Sequence, residues 1–509
     1  MTIYSKQRAR RAVFHTLALR PPGQIATVVG YVLLVRLLSE AEYGIYNLFY
    51  ALLPLLASGA SFGLEHTLRR YQPEYLKAGE HRLADLLVRR IGLLRLASTA
   101  AVLGLVYAFW ADLAPIFKIE DYRSLFLLFA VIALTHFQCS ILTIALSSHL
   151  LQKHSMGVQA AFAVLKAVAY AAVGYGWGLD LRLVFWIDLA AYLVLYAGMK
   201  YYYVTCAERS RGAQEGLPRS ERWRLFKYGF FYNFNDAGTL PLQTRTDNFF
   251  IVYYLDPVAV GAYSFATRLS TMIYRVTPLK FLESVVRPLF FSLDYRANAE
   301  RVKSYFTLLM NASLLFMVPI ALFVACFHRP LVDVVFAGRF LEYSPLLTIV
   351  FAFAALNAID VPVTLVAQLK EKAHVLLASK IFGLYNIAGL VVLIPMLGIA
   401  GAMLASGSAV LMKNLFIWWF VRDIAVWKDA SRFLGVTLLI WLPFVGAAAL
   451  VRLLETPPLA ELVIGAGVWA AFFGAYVRFG ALSAEQRKLI STLFPGRETK
   501  LLRAFGFVH

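Results

Sequence analysis

The stretch Leu38-Ser39-Glu40-Ala41-Glu42-Tyr43-Gly44-Ile45-Tyr46 is answered 217 residues later by Leu255-Asp256-Pro257-Val258-Ala259-Val260-Gly261-Ala262-Tyr263, where Leu, Gly and Tyr coincide. At the same offset Arg70 matches Arg287. Each copy is a short polar turn followed by a long apolar run, and six apolar runs separate the two. An even number of crossings keeps both copies in one orientation, which is a parallel repeat about an axis along the membrane normal. The expected fold is all-α and polytopic, with two parallel six-helix lobes around a central cavity and two C-terminal helices outside the repeat.

Composition agrees with a membrane chain. Of 509 residues 60% are apolar and only 16% charged, with mean hydropathy +0.65, whereas a soluble chain is about a quarter charged. Apolar runs of about 20 residues, enough to cross a hydrocarbon core of about 30 Å, begin near Gly23, Tyr46, Ile91, Tyr122, Val158, Val184, Gly229, Val258, Tyr305, Tyr343, Val375, Ile399, Phe433 and Leu462. Alternating the loops between sides puts 34 of the 49 Lys and Arg on the side of the N-terminus, 5 opposite and 10 inside spans. That split predicts a multi-pass membrane protein with both termini cytoplasmic. It also accounts for the net charge of +19 without nucleic acid as a partner. The domain reading is residues 1–204 as the N-terminal lobe, 205–228 as a cytoplasmic basic linker and 229–422 as the C-terminal lobe. Residues 423–480 form helices 13 and 14, and 481–509 a cytoplasmic tail.

The basic start is not a signal peptide, because Pro21 and Pro22 precede the first run and no small-residue cleavage pattern follows. Cys139, Cys206 and Cys326 are too scattered for a disulfide framework or a metal cluster and read as packing residues. Outer loops are short, the longest expected from His328 to Glu342. There is no Asp-x-Asp pair, no Gly-rich phosphate loop and no His-Glu-x-x-His. The chain therefore reads as a non-enzyme that uses no cofactor.

Leu37-Leu38, Tyr43-Gly44-x-Tyr46, Gly63-Leu64 and Arg70-Tyr71 resemble the opening of Wzx-type polysaccharide flippases of the multidrug/oligosaccharidyl-lipid/polysaccharide exporter superfamily. The second half continues the likeness with Asp247, Gly261-x-Tyr263-x-x-Ala266, Arg287-Pro288 and Gly398-x-x-Gly401-Ala402. The resemblance spans roughly residues 20 to 480. It implies alternating access that carries a polyprenyl-diphosphate-linked oligosaccharide from the inner to the outer leaflet for O-antigen, exopolysaccharide or capsule assembly. Its partners would be that substrate, membrane lipids, a proton or sodium as coupling ion and a polysaccharide polymerase. A peptidoglycan-precursor flippase or a cation-coupled multidrug exporter on the same fold stays open, as does a multispanning envelope-assembly enzyme, which the short outer loops disfavour.

Inside the spans ten basic residues face four acidic ones, Asp188, Asp236, Asp247 and Asp360. A charge at the bilayer centre costs at least about 2.5 kcal/mol, so it needs water, a partner or a ligand. Arg95, Arg123, Lys200 and Lys380 lie near span ends and are expected to snorkel. Lys166, Arg268 and Lys413 sit near mid-span, either lining the cavity or pairing with Asp188, Asp236 or Asp360. With Arg36 and Arg275 they form a basic set suited to a diphosphate. In the seventh span Asn233, Asp236, Gln243 and Asp247 fall within about 80° on one continuous helix. They make a polar stripe for substrate or, with Asp360, for a coupling ion, or else they bond to neighbouring helices around an ordinary kink where Pro241 breaks the backbone ladder. Tyr46, Asn47 and Tyr50 could stack on sugar rings or belong to an interfacial aromatic belt.

Overall fold

The protein is described from a computed structural model, which defines residues 6–207, 219–277, 299–424, 427–479 and 486–487. Among these the chain is helical throughout, with no strand. Ten helices are each long and apolar enough to cross a membrane, and a pair bent by 58° makes an eleventh if it is one span. Every expected span coincides with a helix or a broken helix. The first falls on the shorter apolar segment Pro21–Leu37, and those starting near Gly229 and Val258 fall on helices of more polar composition. The expected outer loop from His328 is shorter than its sequence suggests, because helix Ala299–Phe336 bends at Phe327 (φ −121°) and continues through Pro330.

The chain divides into two compact units, 1–261 and 262–509. Unit 1 contains α1 (Lys6–Leu37), α2 (Glu40–Gly59), α3 (Leu64–Lys77), α4 (His81–Ala108), the short α5 (Trp110–Ile116), α6 (Arg123–Ser148), α7 (Gln152–Gly176), α8 (Leu181–Cys206), α9 (Arg219–Ala237) and α10 (Thr244–Tyr254). It ends in the first turn of α11 (Pro257–Val276). Unit 2 holds the rest of α11, then α12 (Ala299–Phe336), α13 (Pro345–Leu356), α14 (Asp360–Leu369), α15 (Ala373–Ala378), α16 (Phe382–Leu397), α17 (Ile399–Val421), α18 (Trp427–Leu453) and α19 (Pro458–Phe479).

In unit 1 the helix starts follow from capping chemistry. Ser39 and Glu42 form a capping box at the head of α2, satisfying two amides that would otherwise lack partners. In the second copy of the repeat Asp256 accepts from the Ala259 amide at 2.8 Å and Pro257 opens α11. The two turns also meet. A Cβ added to Gly44 would fall 1.7 Å from the Pro257 carbonyl oxygen and 3.1 Å from the Gly261 nitrogen. Only glycine admits that approach.

At its other end α2 stops, and Phe62 (φ 47°) and Gly63 (φ 71°) turn the chain into α3. Gly63 lies against Gly229 of α9, where a Cβ would come within 1.8 Å of the Gly229 oxygen. The sequence motif Gly63-Leu64 therefore marks a helix break. Beyond it α3 and α9 run side by side, joined by Arg224 to Glu74 at 2.6 Å and by Tyr75 to Glu221 at 2.9 Å. The interior of the unit is aromatic, with Phe49 packed on Phe126, Phe129 and Phe185 at 5.5 to 6.4 Å.

Unit 2 is built on α12, a 38-residue helix. Leu308, Leu315 and Phe327 of α12 share a core with Trp441, Phe444, Tyr476 and Val477. Helices α18 and α19 are thus fixed to unit 2 by large aromatic side chains, each burying about 150–250 Å². Val302, Tyr305 and Phe306 pack separately on Val363, Val366, Ile417 and Val421 from α14 and α17.

Candidate functional site

Charged and polar groups inside the membrane helices collect in one cluster in unit 1 and another in unit 2. In unit 1, Asp188 of α8 is fully buried and 2.7 Å from the Lys166 ammonium of α7, itself only 15% exposed. The same carboxylate accepts from the Tyr46 hydroxyl at 3.3 Å and from the hydroxyls of Tyr50 and Tyr170. Helical spacing places Tyr46 and Tyr50 one above the other on α2, rings 4.5 Å apart. Both are buried, and their hydroxyls are committed to Asp188. Asn47 is also buried and donates to the Tyr43 carbonyl at 2.7 Å. Lys166 thus meets the acidic partner that the sequence offered as the alternative to a cavity position.

Arg95 departs from expectation. A residue four positions into a span was expected to snorkel, yet α4 begins at His81, so Arg95 sits at mid-helix with no exposed surface. It donates to the Leu56 carbonyl at 3.2 Å and lies over the Phe137 ring at 3.9 Å, with Glu65 3.8 Å away. Ser98, one turn on, donates to the Ala60 carbonyl at 2.6 Å. Arg95 shares the Leu56 carbonyl with the Ala60 amide and Ser98 meets the Ala60 carbonyl, both where α2 ends, and a cation is favoured at that negative end of the helix dipole.

The seventh span is two helices. α9 ends at Ala237, a 3-10 turn runs from Leu240 to Leu242 with Pro241 in it, and α10 begins at Thr244. The Thr246 hydroxyl takes up the Leu240 carbonyl at 2.9 Å. Because the 100° count runs across this break, Asn233 and Asp236 belong to one helix face while Gln243 and Asp247 belong to another segment. The expected single stripe is therefore two pairs. Asp236 lies 2.6 Å from His66 of α3, whose ring stacks on Tyr232. Gln243 is half-buried at the head of α10, and Asp247 is fully buried in its first turn. His66 was missed by the sequence reading, since its partner lies 170 residues away.

In unit 2, Lys413 of α17 is 2.8 Å from Asp360 in the first turn of α14. Asn414 donates to Asn357 at 3.3 Å, and Asn357 to the Gly407 carbonyl at 3.3 Å. Here the carboxylate is 43% exposed and the ammonium 19%. Of the remaining basic candidates, Arg268 is half-buried midway along α11, Arg275 is exposed in its last turn, and Arg36 is half-buried in the last turn of α1. The described residues contain no group of three His, Cys, Asp or Glu able to hold a metal.

Many apolar helices in two units define a multi-pass membrane protein. Its fold is similar to that of the lipid II flippase MurJ in an inward closed conformation, with TM-score 0.67 at 13% identity over 92% of this chain and 98% of that one. It is also similar to an inward-facing multidrug resistance MATE family transporter of the MOP superfamily (TM-score 0.61, 13% identity, 80% of this chain and 96% of that one). An outward-facing MATE family transporter gives TM-score 0.53 at 13% identity, over 84% of this chain and 98% of that one. These are likenesses of fold. The chain belongs to the polysaccharide biosynthesis protein family, whose sequence model matches residues 11–294. No curated protein sequence matches it.

Proposed function

We propose that the protein moves a polyprenyl-diphosphate-linked oligosaccharide from the inner to the outer leaflet of a bacterial cytoplasmic membrane by alternating access of its two halves. The observation that carries this reading is membership of the polysaccharide biosynthesis family in a chain folded like a lipid flippase. In this reading residues 1–204 and 229–422 are the moving lobes and 205–228 the basic linker between them. The loop asymmetry of Lys and Arg supports a cytoplasmic position for both termini. Arg36, Arg268, Arg275 and Lys413 supply cations for the diphosphate, the guanidinium groups by paired hydrogen bonds. The delivered repeat unit would pass to a polymerase at the outer face.

Without a nucleotide-binding motif, the work comes from the membrane potential or an ion gradient. An anionic headgroup leaving an inside-negative cytoplasm gains about 2.3 kcal/mol per charge per 100 mV. Asp236 or Asp247 would add proton or sodium coupling. The test is transport of a polyprenyl-diphosphate-linked saccharide across vesicles carrying the purified protein. A potential negative on the cytoplasmic side should accelerate outward movement. Transport that ignores potential, proton and sodium gradients alike would defeat the energy argument, and no movement of any such lipid would defeat the substrate.

A further inference from the structure

The surroundings of Lys166 have the chemistry of a cation site. One side of its ammonium is the Asp188 carboxylate at 2.7 Å. The rings of Phe162, Tyr170 and Tyr192 lie 5.5, 5.5 and 5.9 Å from the nitrogen, close enough for their negative faces to attract a positive charge. Behind the carboxylate stand the hydroxyls of Tyr46, Tyr50 and Tyr170. A carboxylate with three phenol oxygens is a set of hard oxygen ligands, the kind that suits an alkali cation as well as an ammonium. The centre is enclosed by α2, α7 and α8; among the described residues His136 of α6 lies edge-on to Tyr192 at 5.6 Å, and Arg245 of α10 and Arg95 of α4 add their charge near it.

We propose that Lys166 is the resident cation of unit 1, a tethered ammonium that fills a carboxylate and phenol cage and keeps mobile cations out of it. The cage needs one positive charge to balance Asp188, and the chain supplies that charge itself. A buried carboxylate whose partner is removed must find another cation or take up a proton. Lys166 is thereby a specificity-determining residue. With it in place the Asp188 carboxylate already holds its cation, and an ion that couples transport binds elsewhere in the chain. The idea is independent of which lipid is carried, because its test reads the protein alone.

The experiment is thermal unfolding of purified wild-type and Lys166→Met protein. Sodium chloride is titrated against N-methylglucamine chloride at constant ionic strength, at pH 8.5 and at pH 6. The wild type should give no saturable sodium response that depends on Asp188. Lys166→Met should melt lower, then regain several degrees saturably with sodium at pH 8.5 or, without sodium, on lowering the pH; the two arms separate the alkali cation from the proton. The double variant Lys166→Met, Asp188→Asn should lose both responses. If Lys166→Met does not accumulate, rescue of its level by Asp188→Asn reads the same charge balance. A single variant indifferent to sodium and to pH overturns the proposal. So does a wild-type sodium response abolished by Asp188→Asn, or failure of the double variant to rescue an unstable single one.

Discussion

The two units solve the same problem in opposite ways. Each places a lysine near the middle of an apolar helix and an aspartate on a neighbouring one, at 2.7 Å in unit 1 and 2.8 Å in unit 2. Around Asp188 three tyrosines close the site and no carboxylate surface remains. Asp360 has Lys413 as its ion-pair partner, and its carboxylate stays 43% exposed. What separates a sealed pair from an open one is therefore the ring of side chains behind the acid, supplied here by Tyr46 and Tyr50 of α2 and Tyr170 of α7. A sealed pair contributes to one arrangement of its helices. An open pair can exchange its partner for a ligand.

The sharpest break in this comparison comes from Asp188→Ala. Removing the acid strands an ammonium among rings and phenols, a loss of about 3–5 kcal/mol for a buried pair. Membrane levels and melting temperature should fall together. Full stability in that variant would mean that the site is not sealed. A smaller effect of a different kind is expected from Lys413→Ala. Losing one charged hydrogen bond to a phosphate is worth about 1.5–3 kcal/mol, so polysaccharide export should drop about 10- to 100-fold while protein level holds. Export at the wild-type rate would remove Lys413 from substrate binding. The smallest effect belongs to Asp360→Asn, which touches a pair half open to its surroundings and should shift stability by less than about 1 kcal/mol. A fall in melting temperature as large as that of Asp188→Ala would erase the distinction between the units.

Much of this architecture could be read from residue order. Hydropathy placed all fourteen expected spans on helices, and Pro241 announced the interruption between α9 and α10. Local pattern says where a helix runs, however, and not what lies beside it. Arg95 was misplaced because its apolar run starts at Ile91 while the helix starts ten residues earlier, at His81. The bend between α2 and α3 left only Gly63 as a clue. The three phenols on Asp188 come from positions 18 to 142 residues away, a range over which sequence periodicity carries no information.

The meeting of Gly44 with the Pro257–Gly261 turn makes each repeated segment part of the other's packing. A side chain acquired at Gly44 would require the opposite turn to retreat at the same time, and a retreat there would open a gap beside Gly44. The glycine shared by the two segments thus sits at a contact that neither turn can alter alone.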